Sequence, residues 1–214
     1  MGRIIAIANQ KGGVGKTTTA INLSACLAEA EKRVLTIDMD PQGNTTSGLG
    51  IDKNNCENTI YQLILGECSF DEALIHTEFE YLDLIPSNVN LAGAEIELLN
   101  IENREYVLHN EIEKIKDNYD FIIIDCPPSL NMLTVNAMTT ATTVLVPIQC
   151  EYYALEGLSQ LIHTINLIQE RLNENLEIDG IVFTMYDSFC YKNGFSKVSQ
   201  KKFSMEIKRL LECE

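Results

Sequence analysis

Short apolar segments of strand length recur along the chain, with longer segments between them. They occupy residues 4–8, 34–37, 81–85, 121–124, 143–146 and 178–184. Several are apolar at successive positions, which is the pattern of strands buried on both faces of a parallel sheet. The pattern therefore predicts a mostly parallel sheet that is covered by helices.

The segments between these runs have the length and spacing of helices. The clearest is 155–172, where apolar residues recur every three or four positions at Leu155, Leu158, Ile162, Ile165, Ile168 and Leu172. Residues 17–30 and 104–116 are also predicted to be helical. Because strands and helices alternate, we expect one α/β domain over residues 1–214, with a doubly wound sheet and helices on both faces.

A loop rich in glycine and lysine joins the first predicted strand to the first predicted helix, and residues 9–18 read NQKGGVGKTT. Its glycines let backbone N–H groups turn toward oxyanions, and the helix adds its positive N-terminal end. The general P-loop motif is not strictly met, since Gln10 stands at its first glycine. The context nevertheless predicts a phosphate site made of Lys11, Gly12, Gly13, Val14, Gly15, Lys16, Thr17 and Thr18.

Within this loop the side chains suggest distinct roles, with ATP and Mg²⁺ as the predicted ligands. Lys16 would reach the outer phosphates as a point charge, and the Thr17 hydroxyl would ligate Mg²⁺. Thr18 would support the α-phosphate. These residues predict a protein of the P-loop NTPase class.

Aspartates follow two of the buried strands, at the strand ends where open α/β sheets place their ligands. The segment 38–44 reads DMDPQGN, and 125–129 reads DCPPS. Asp125 is the predicted second Mg²⁺ anchor, directly or through water. Asp40 would orient or deprotonate the attacking water, and Asp38 would contact the metal or a switch segment. Capping or turn carboxylates are the structural alternatives.

Four segments in this order resemble the ParA/Soj family of chromosome and plasmid partition ATPases, namely 11–18, 38–44, 125–129 and 149–158. The resemblance covers about residues 3–187. It implies a deviant Walker A ATPase that forms a sandwich dimer around two ATP molecules. Lys11 would then reach the partner's nucleotide, and Gly12 would permit close approach at the dimer seam. It also implies hydrolysis through Asp40, a magnesium-linked switch at Asp125, and a place near nucleotide and interface for residues 151–157.

The resemblance further implies partners. Family members bind DNA nonspecifically as the ATP-bound dimer and are stimulated by a ParB-type centromere-binding protein. The expected location is the cytoplasm, with association to the nucleoid where DNA binding is retained. Two other functions stay open: a nucleotide-binding module with impaired turnover, and a membrane-cycling regulator similar to MinD.

The segment 188–214 departs from the family pattern, which puts DNA binding in question. A frameshifted or truncated gene product is one hypothesis, which resequencing of the locus would test. Its apolar side chains (Phe203, Ile207, Leu210 and Leu211) fall on one helical face, and basic residues lie largely elsewhere. Packing on its own domain, contact with DNA or a partner, and contact with a membrane are the alternatives.

Charge and cysteine content narrow the expected setting. Asp and Glu number 31 against 16 Lys and Arg, and the net charge of −15 disfavours nonspecific attraction to DNA over the whole surface. The seven cysteines are an odd number without a C-x-x-C pair, as in a reduced cytoplasmic protein. We expect no secretion signal and no membrane span.

Overall fold

The computed structural model describes residues 2–149 and 154–185. Within them a seven-stranded sheet has the order β3-β4-β2-β5-β1-β6-β7. All neighbouring strands are parallel except the edge strand β3, which is antiparallel to β4. The strands are β1 (Arg3–Ile7), β2 (Val34–Asp38), β3 (Ile75–His76), β4 (Leu82–Ile85), β5 (Phe121–Asp125), β6 (Thr143–Gln149) and β7 (Glu177–Thr184).

The helices lie between the strands in sequence. They are α1 (Lys16–Glu29), α2 (Asn44–Gly48), α3 (Ile60–Leu65), α4 (Phe70–Ala73), α5 (Ala94–Glu97), α6 (Val107–Glu113), α7 (Met132–Thr140) and α8 (Ala154–Arg171). Short 3-10 segments are Val89–Gly93, Leu98–Asn100, Arg104–Tyr106 and Lys116–Asn118. Among the described residues, no helix combines the length and apolarity that crossing a bilayer requires.

Alternate residues of each central strand enter two separate cores. In β1, Ile5 and Ile7 pack in a core with Ala20 of α1, whereas Ile4 and Ala6 join a larger core that includes α7 and α8. Side chains on successive strand positions point to opposite faces, so both faces must be apolar and both must be covered. The predicted three-layer α/β fold, with its mostly parallel sheet, is confirmed.

The six predicted strands are all present, and several are one or a few residues longer than predicted. The helix predicted over 104–116 is instead a 3-10 turn followed by the short helix α6. The strand β3 and the helix α7 have no counterpart among the predicted elements. Residues 150–153 and the segment 188–214, with its alternative predicted roles, lie outside the described residues.

Strand register brings the sequence motifs to one edge of the sheet. Ile7 at the end of β1 pairs with Asp125 on β5, and Asp125 pairs in turn with Asp38 on β2. The connection after β1 leads to β2 and the connection after β6 leads to β7, in opposite directions across the sheet. The strand order therefore reverses between the adjacent strands β1 and β6. Ligands of open α/β sheets bind at such a reversal, outside the carboxyl ends of the strands.

Candidate active site

The loop between β1 and α1 has the backbone of a phosphate-binding loop. Gly13 and Gly15 adopt left-handed conformations, with φ of 72° and 89°, which suit glycine. Gly15 is the N-cap residue of α1, and no side chain of residues 2–149 or 154–185 caps this helix end. The first N–H groups of α1 therefore point into the loop without a side-chain acceptor, as an anion site requires.

Strands β6 and β7 fix the loop from the side. The Asn9 side-chain amide donates a hydrogen bond to the Pro147 carbonyl oxygen at 2.8 Å. Thr184, at the end of β7, donates from Oγ1 to the Val14 carbonyl oxygen at 2.7 Å. The first bond ties the loop to β6, and the second ties it to β7 and satisfies the Val14 carbonyl oxygen.

The two lysines of the loop occupy different environments. Lys16 is 6% exposed, and its Nζ donates to the Lys11 carbonyl oxygen at 3.2 Å. Burial lowers the pKa of Lys16, while attraction to Asp125 opposes this shift. Lys11 is half-buried, and its Nζ donates to Gln149 Oε1 at 3.2 Å. Lys16 thus lies inside the loop, whereas Lys11 lies at its outer side.

Beside Lys11 is an open cleft of about 530 Å³. It is lined by Gln10, Lys11, Pro128, Ser129, Leu130, Gly157 and Gln160. Gln10 crosses one side of the cleft, where its amide donates to Gln160 Oε1 at 2.7 Å and to the Gly157 carbonyl oxygen at 3.3 Å. The phosphate loop, the loop after β5 and the first part of α8 therefore share one surface.

Asp125 is fully buried and is half satisfied by hydrogen bonds. Its Oδ2 accepts from Thr17 Oγ1 at 2.8 Å and from Thr45 Oγ1 at 2.7 Å. Its Oδ1 is buried and has no hydrogen-bond partner among the residues that the structure describes. Burial raises the pKa of Asp125 to about 6, and the two hydroxyls partly oppose that rise. A buried carboxylate oxygen without a donor, next to the Thr17 hydroxyl, fits a hard cation such as Mg²⁺.

Asp38 is also fully buried, and its carboxylate faces several donors. Its Oδ2 accepts from the Thr46 N–H at 2.8 Å and from Thr46 Oγ1 at 2.7 Å, and its Oδ1 accepts from the Asp40 N–H at 3.2 Å. Burial, followed by repulsion from Asp125, raises the pKa of Asp38 to about 7. Asp38 therefore contacts the backbone of the loop that carries Asp40.

Asp40 stands at the edge of this buried group and is 7% exposed. Its Oδ1 accepts from the Gln42 N–H at 2.9 Å. Its negative charge influences the pKa values of both Lys16 and Asp125. Of the three predicted aspartates it is therefore the least buried one, and its charge acts on the loop lysine.

The structure brings Lys16, Thr17 and Asp125 together, as the motifs predict, and places Asp40 near them. Gly12 and Thr18 are exposed at the loop surface. Sequence reasoning missed three supporting residues, namely Thr45, Thr46 and Ser87. The two threonines directly follow the 38–44 segment, so their position in the sequence was a usable signal. Ser87 carries no sequence signal, because only the pairing of β4 with β2 brings it to the site.

Comparison of the sequence with those of known proteins shows which family the chain resembles. The profile of the family described as AAA domain matches residues 2–178. Over 188 residues the chain is 57% identical to the chromosome partitioning protein ParA of Myxococcus xanthus. The matched region covers 88% of this chain and 66% of that protein. It is 55% identical to the sporulation initiation inhibitor protein Soj of Bacillus subtilis, over 88% of this chain and 74% of that protein.

A solved structure extends the agreement to the fold. The cobyrinic acid a,c-diamide synthase from Mycobacterium smegmatis, with bound ATP analog and magnesium, matches with a TM-score of 0.89 and 41% identity. The match covers 95% of this chain and 82% of that chain.

The site has a glycine-rich loop after β1, a buried lysine, and aspartates at the ends of β2 and β5. These features define a P-loop nucleotide-binding protein. The sequence identity to the ParA and Soj proteins narrows this assignment from a class of proteins to one family. The chain belongs to the ParA/Soj family of partition ATPases, within the AAA domain family.

Proposed function

We propose that the chain binds ATP with Mg²⁺ at residues 11–18 and hydrolyses it slowly to ADP and phosphate. The observation that carries the proposal is the arrangement of Lys16, Thr17 and Asp125. A buried ammonium group lies inside the loop, and a threonine hydroxyl bonds a carboxylate whose second oxygen has no donor in the described part of the chain. The related structure with bound ATP analog and magnesium supports the same ligands for this chain.

In this proposal each side chain has a defined task. Lys16 neutralises charge on the outer phosphates, and Thr17 and Asp125 hold Mg²⁺, with Asp38 as a further contact of the metal or of a switch segment. The bound metal would polarise the phosphate oxygens. Asp40 orients the attacking water or accepts its proton, because it is the least buried of the three aspartates.

We also propose ATP-dependent dimerisation through the loop surface. Lys11 lies on the open cleft, where it could reach the nucleotide of a second chain. Gly12 is exposed, and a Cβ atom placed there would meet no atom of the described residues within 4 Å. A bulkier residue at Gly12 therefore has room within this part of the chain, so an effect of it on self-association would point to contacts with another molecule.

The biological role we propose is partition of a chromosome or plasmid. Hydrolysis would reset an ATP-bound dimer that binds DNA and is stimulated by a ParB-type centromere-binding protein. The names of the ParA and Soj relatives support this role. They are more identical to this chain than the synthase is, so we favour partition over synthase chemistry. The proposed location is the cytoplasm, at the nucleoid when DNA is bound.

ATP hydrolysis by the purified chain tests the proposal. We expect slow turnover that double-stranded DNA and a ParB-type partner stimulate, and that Lys16→Ala and Asp40→Ala abolish. Asp40→Ala should still bind ATP, because Asp40 makes no hydrogen bond to the phosphate loop among the described residues. Binding without turnover or stimulation in the unaltered chain would instead indicate a nucleotide-binding module.

A further inference from the structure

Buried side chains hold the peptide backbone on both sides of Asp40. Its N–H donates to Asp38 Oδ1 at 3.2 Å, and its carbonyl oxygen accepts from Ser87 Oγ at 2.8 Å. Asp40 lies in the irregular connection between β2 and α2, where its carbonyl oxygen also accepts from the Gly43 N–H at 2.9 Å. The two side chains add to this turn a constraint that regular secondary structure gives elsewhere.

Thr46 joins these two anchors into a closed ring. Its Oγ1 donates to Asp38 Oδ2 at 2.7 Å and accepts from the Ser87 N–H at 2.9 Å. The ring runs from Asp40 to Asp38, to Thr46, to Ser87 and back to Asp40. The side chains of Asp38, Thr46 and Ser87 are all fully buried. Water cannot readily replace a member of this ring, so losing one hydroxyl leaves a buried partner unsatisfied.

The ring also connects parts of the fold that are distant in sequence. Thr46 belongs to α2, and Ser87 follows β4, which is paired with β2. The neighbouring Thr45 ties the same helix to Asp125. Within the described residues, the Thr46 hydroxyl bonds Asp38 and Ser87 and makes no hydrogen bond to the phosphate loop. Thr46 can therefore influence where Asp40 stands without contributing directly to phosphate binding.

From this geometry we propose that Thr46 and Ser87 are positioning residues for Asp40 in hydrolysis. The inference rests on the proposed ATPase function and assigns to it residues that the sequence motifs do not include. Thr46 and Ser87 hold the Asp40 peptide so that its carboxylate meets the attacking water. A misplaced catalytic group slows a reaction by up to about 100-fold even when binding is intact.

The test compares Thr46→Val with a matched control. Valine keeps the branched shape of threonine and removes its hydroxyl, whereas Thr46→Ser keeps the hydroxyl. The control is Thr36→Val on β2, because Thr36 is equally buried and its hydroxyl donates to Ser24 Oγ at 2.8 Å, in a separate contact. Ser87→Ala removes the other hydroxyl of the ring and decides the matter if Thr46→Val fails to fold.

We expect Thr46→Val and Ser87→Ala to lower the single-turnover rate of ATP hydrolysis by about 10- to 100-fold, with affinity for an ATP analogue changed by less than about threefold. Thr46→Ser should restore most of the rate, and Thr36→Val should lower Tm but keep the rate. Turnover at the unaltered rate in Ser87→Ala and in folded Thr46→Val, or an equal loss of rate in Thr36→Val, would overturn the inference.

Amide hydrogen exchange gives a second readout that does not depend on turnover. The Asp40 N–H should exchange faster in Thr46→Val than in the unaltered chain, with no such change in Thr36→Val. If the unaltered chain does not hydrolyse ATP, the proposed function fails, and exchange alone then decides whether the ring holds Asp40. Unchanged protection of the Asp40 amide in Thr46→Val would overturn the positioning role.

Discussion

Replacing Asp38 with Asn should change how the stability of the ligand-free protein depends on pH. Asp38 and Asp125 are fully buried and stand opposite each other on β2 and β5. Burial is the main cause that raises their pKa values, to about 7 for Asp38 and about 6 for Asp125. Each carboxyl group is therefore more readily protonated in the folded chain than in the unfolded one.

The sign of the effect follows from proton linkage. An aspartate side chain ordinarily has a pKa of 3.8, so between about pH 4 and 7 the folded state binds more protons at Asp38 than the unfolded state does. Stability must then fall as the pH rises through this window. At 1.36 kcal/mol per pKa unit, the rise at Asp38 corresponds to at most about 4 kcal/mol. Because Asp125 titrates in the same range and interacts with Asp38, we expect removal of Asp38 to take away about 1–3 kcal/mol of this dependence.

The assay is urea unfolding at pH 5 and pH 8 without nucleotide. Asp38→Asn should lose less stability between the two pH values than the unaltered chain loses. Its absolute stability should also fall, because an amide NH₂ group replaces one oxygen that accepts a hydrogen bond, so the difference between pH values is the quantity to compare. Asp38→Asn with the same pH dependence as the unaltered chain would refute the reasoning.

Asp120→Asn is the control for this experiment. Asp120 is an exposed carboxylate, and its hydrogen bonds with Arg33 lower its pKa. The stability that it contributes is present above the unfolded pKa and is lost only as the pH falls below that value. Between pH 5 and 8, Asp120→Asn should therefore keep the pH dependence of the unaltered chain.

Two further predictions concern the phosphate loop. Gly15→Ala should lower Tm and nucleotide affinity, since a left-handed backbone costs other residues about 1–2 kcal/mol and the added Cβ would meet Thr184 Cγ2 at 3.3 Å. Gly12→Ala should keep Tm, because the space at its Cβ is open. Equal destabilisation by both substitutions would contradict this prediction. Thr17→Val should weaken ATP binding in Mg²⁺ but not in EDTA, because it removes the hydroxyl that bonds Asp125. Thr17→Ser keeps a hydroxyl and should retain the binding seen in Mg²⁺. Equal weakening by Thr17→Val under both conditions would argue against a metal role.

The central strands could be predicted because strands that are buried on both faces have apolar residues at consecutive positions. The strand β3 has only Ile75 and His76 and pairs antiparallel at the sheet edge, so it leaves no apolar run. The helix α7 is buried nearly all round, including Thr134, Asn136 and Thr140, and therefore has no polar stripe to reveal a helical period. Periodicity identifies elements with one buried face, and α7 lacks an exposed one.

The candidate site likewise has a part that could be predicted from the sequence and a part that could not. Residues 11–18 are contiguous, so the phosphate loop can be read from local sequence. The meeting of Asp38 with Asp125 follows from the rule that parallel strands carry ligands at their carboxyl ends. Ser87 could not be found from the sequence, because its contact with Asp40 depends on the order of strands β4 and β2. Topology therefore sets the place of Ser87, whereas Thr45 and Thr46 adjoin the 38–44 segment and could have been found from it.

Nucleotide binding by the phosphate loop is best tested by calorimetric titration of the purified chain with ATP and Mg²⁺, beside Lys16→Ala and Lys11→Ala. The two lysines lie in the same loop, but Lys16 is buried inside it and Lys11 lies at the outer side. We predict that Lys16→Ala weakens binding by at least about tenfold, the loss of one charge-assisted contact, and that Lys11→Ala binds nearly normally in dilute, monomeric protein. Binding of equal strength in the unaltered chain and Lys16→Ala would contradict the proposed role of the loop.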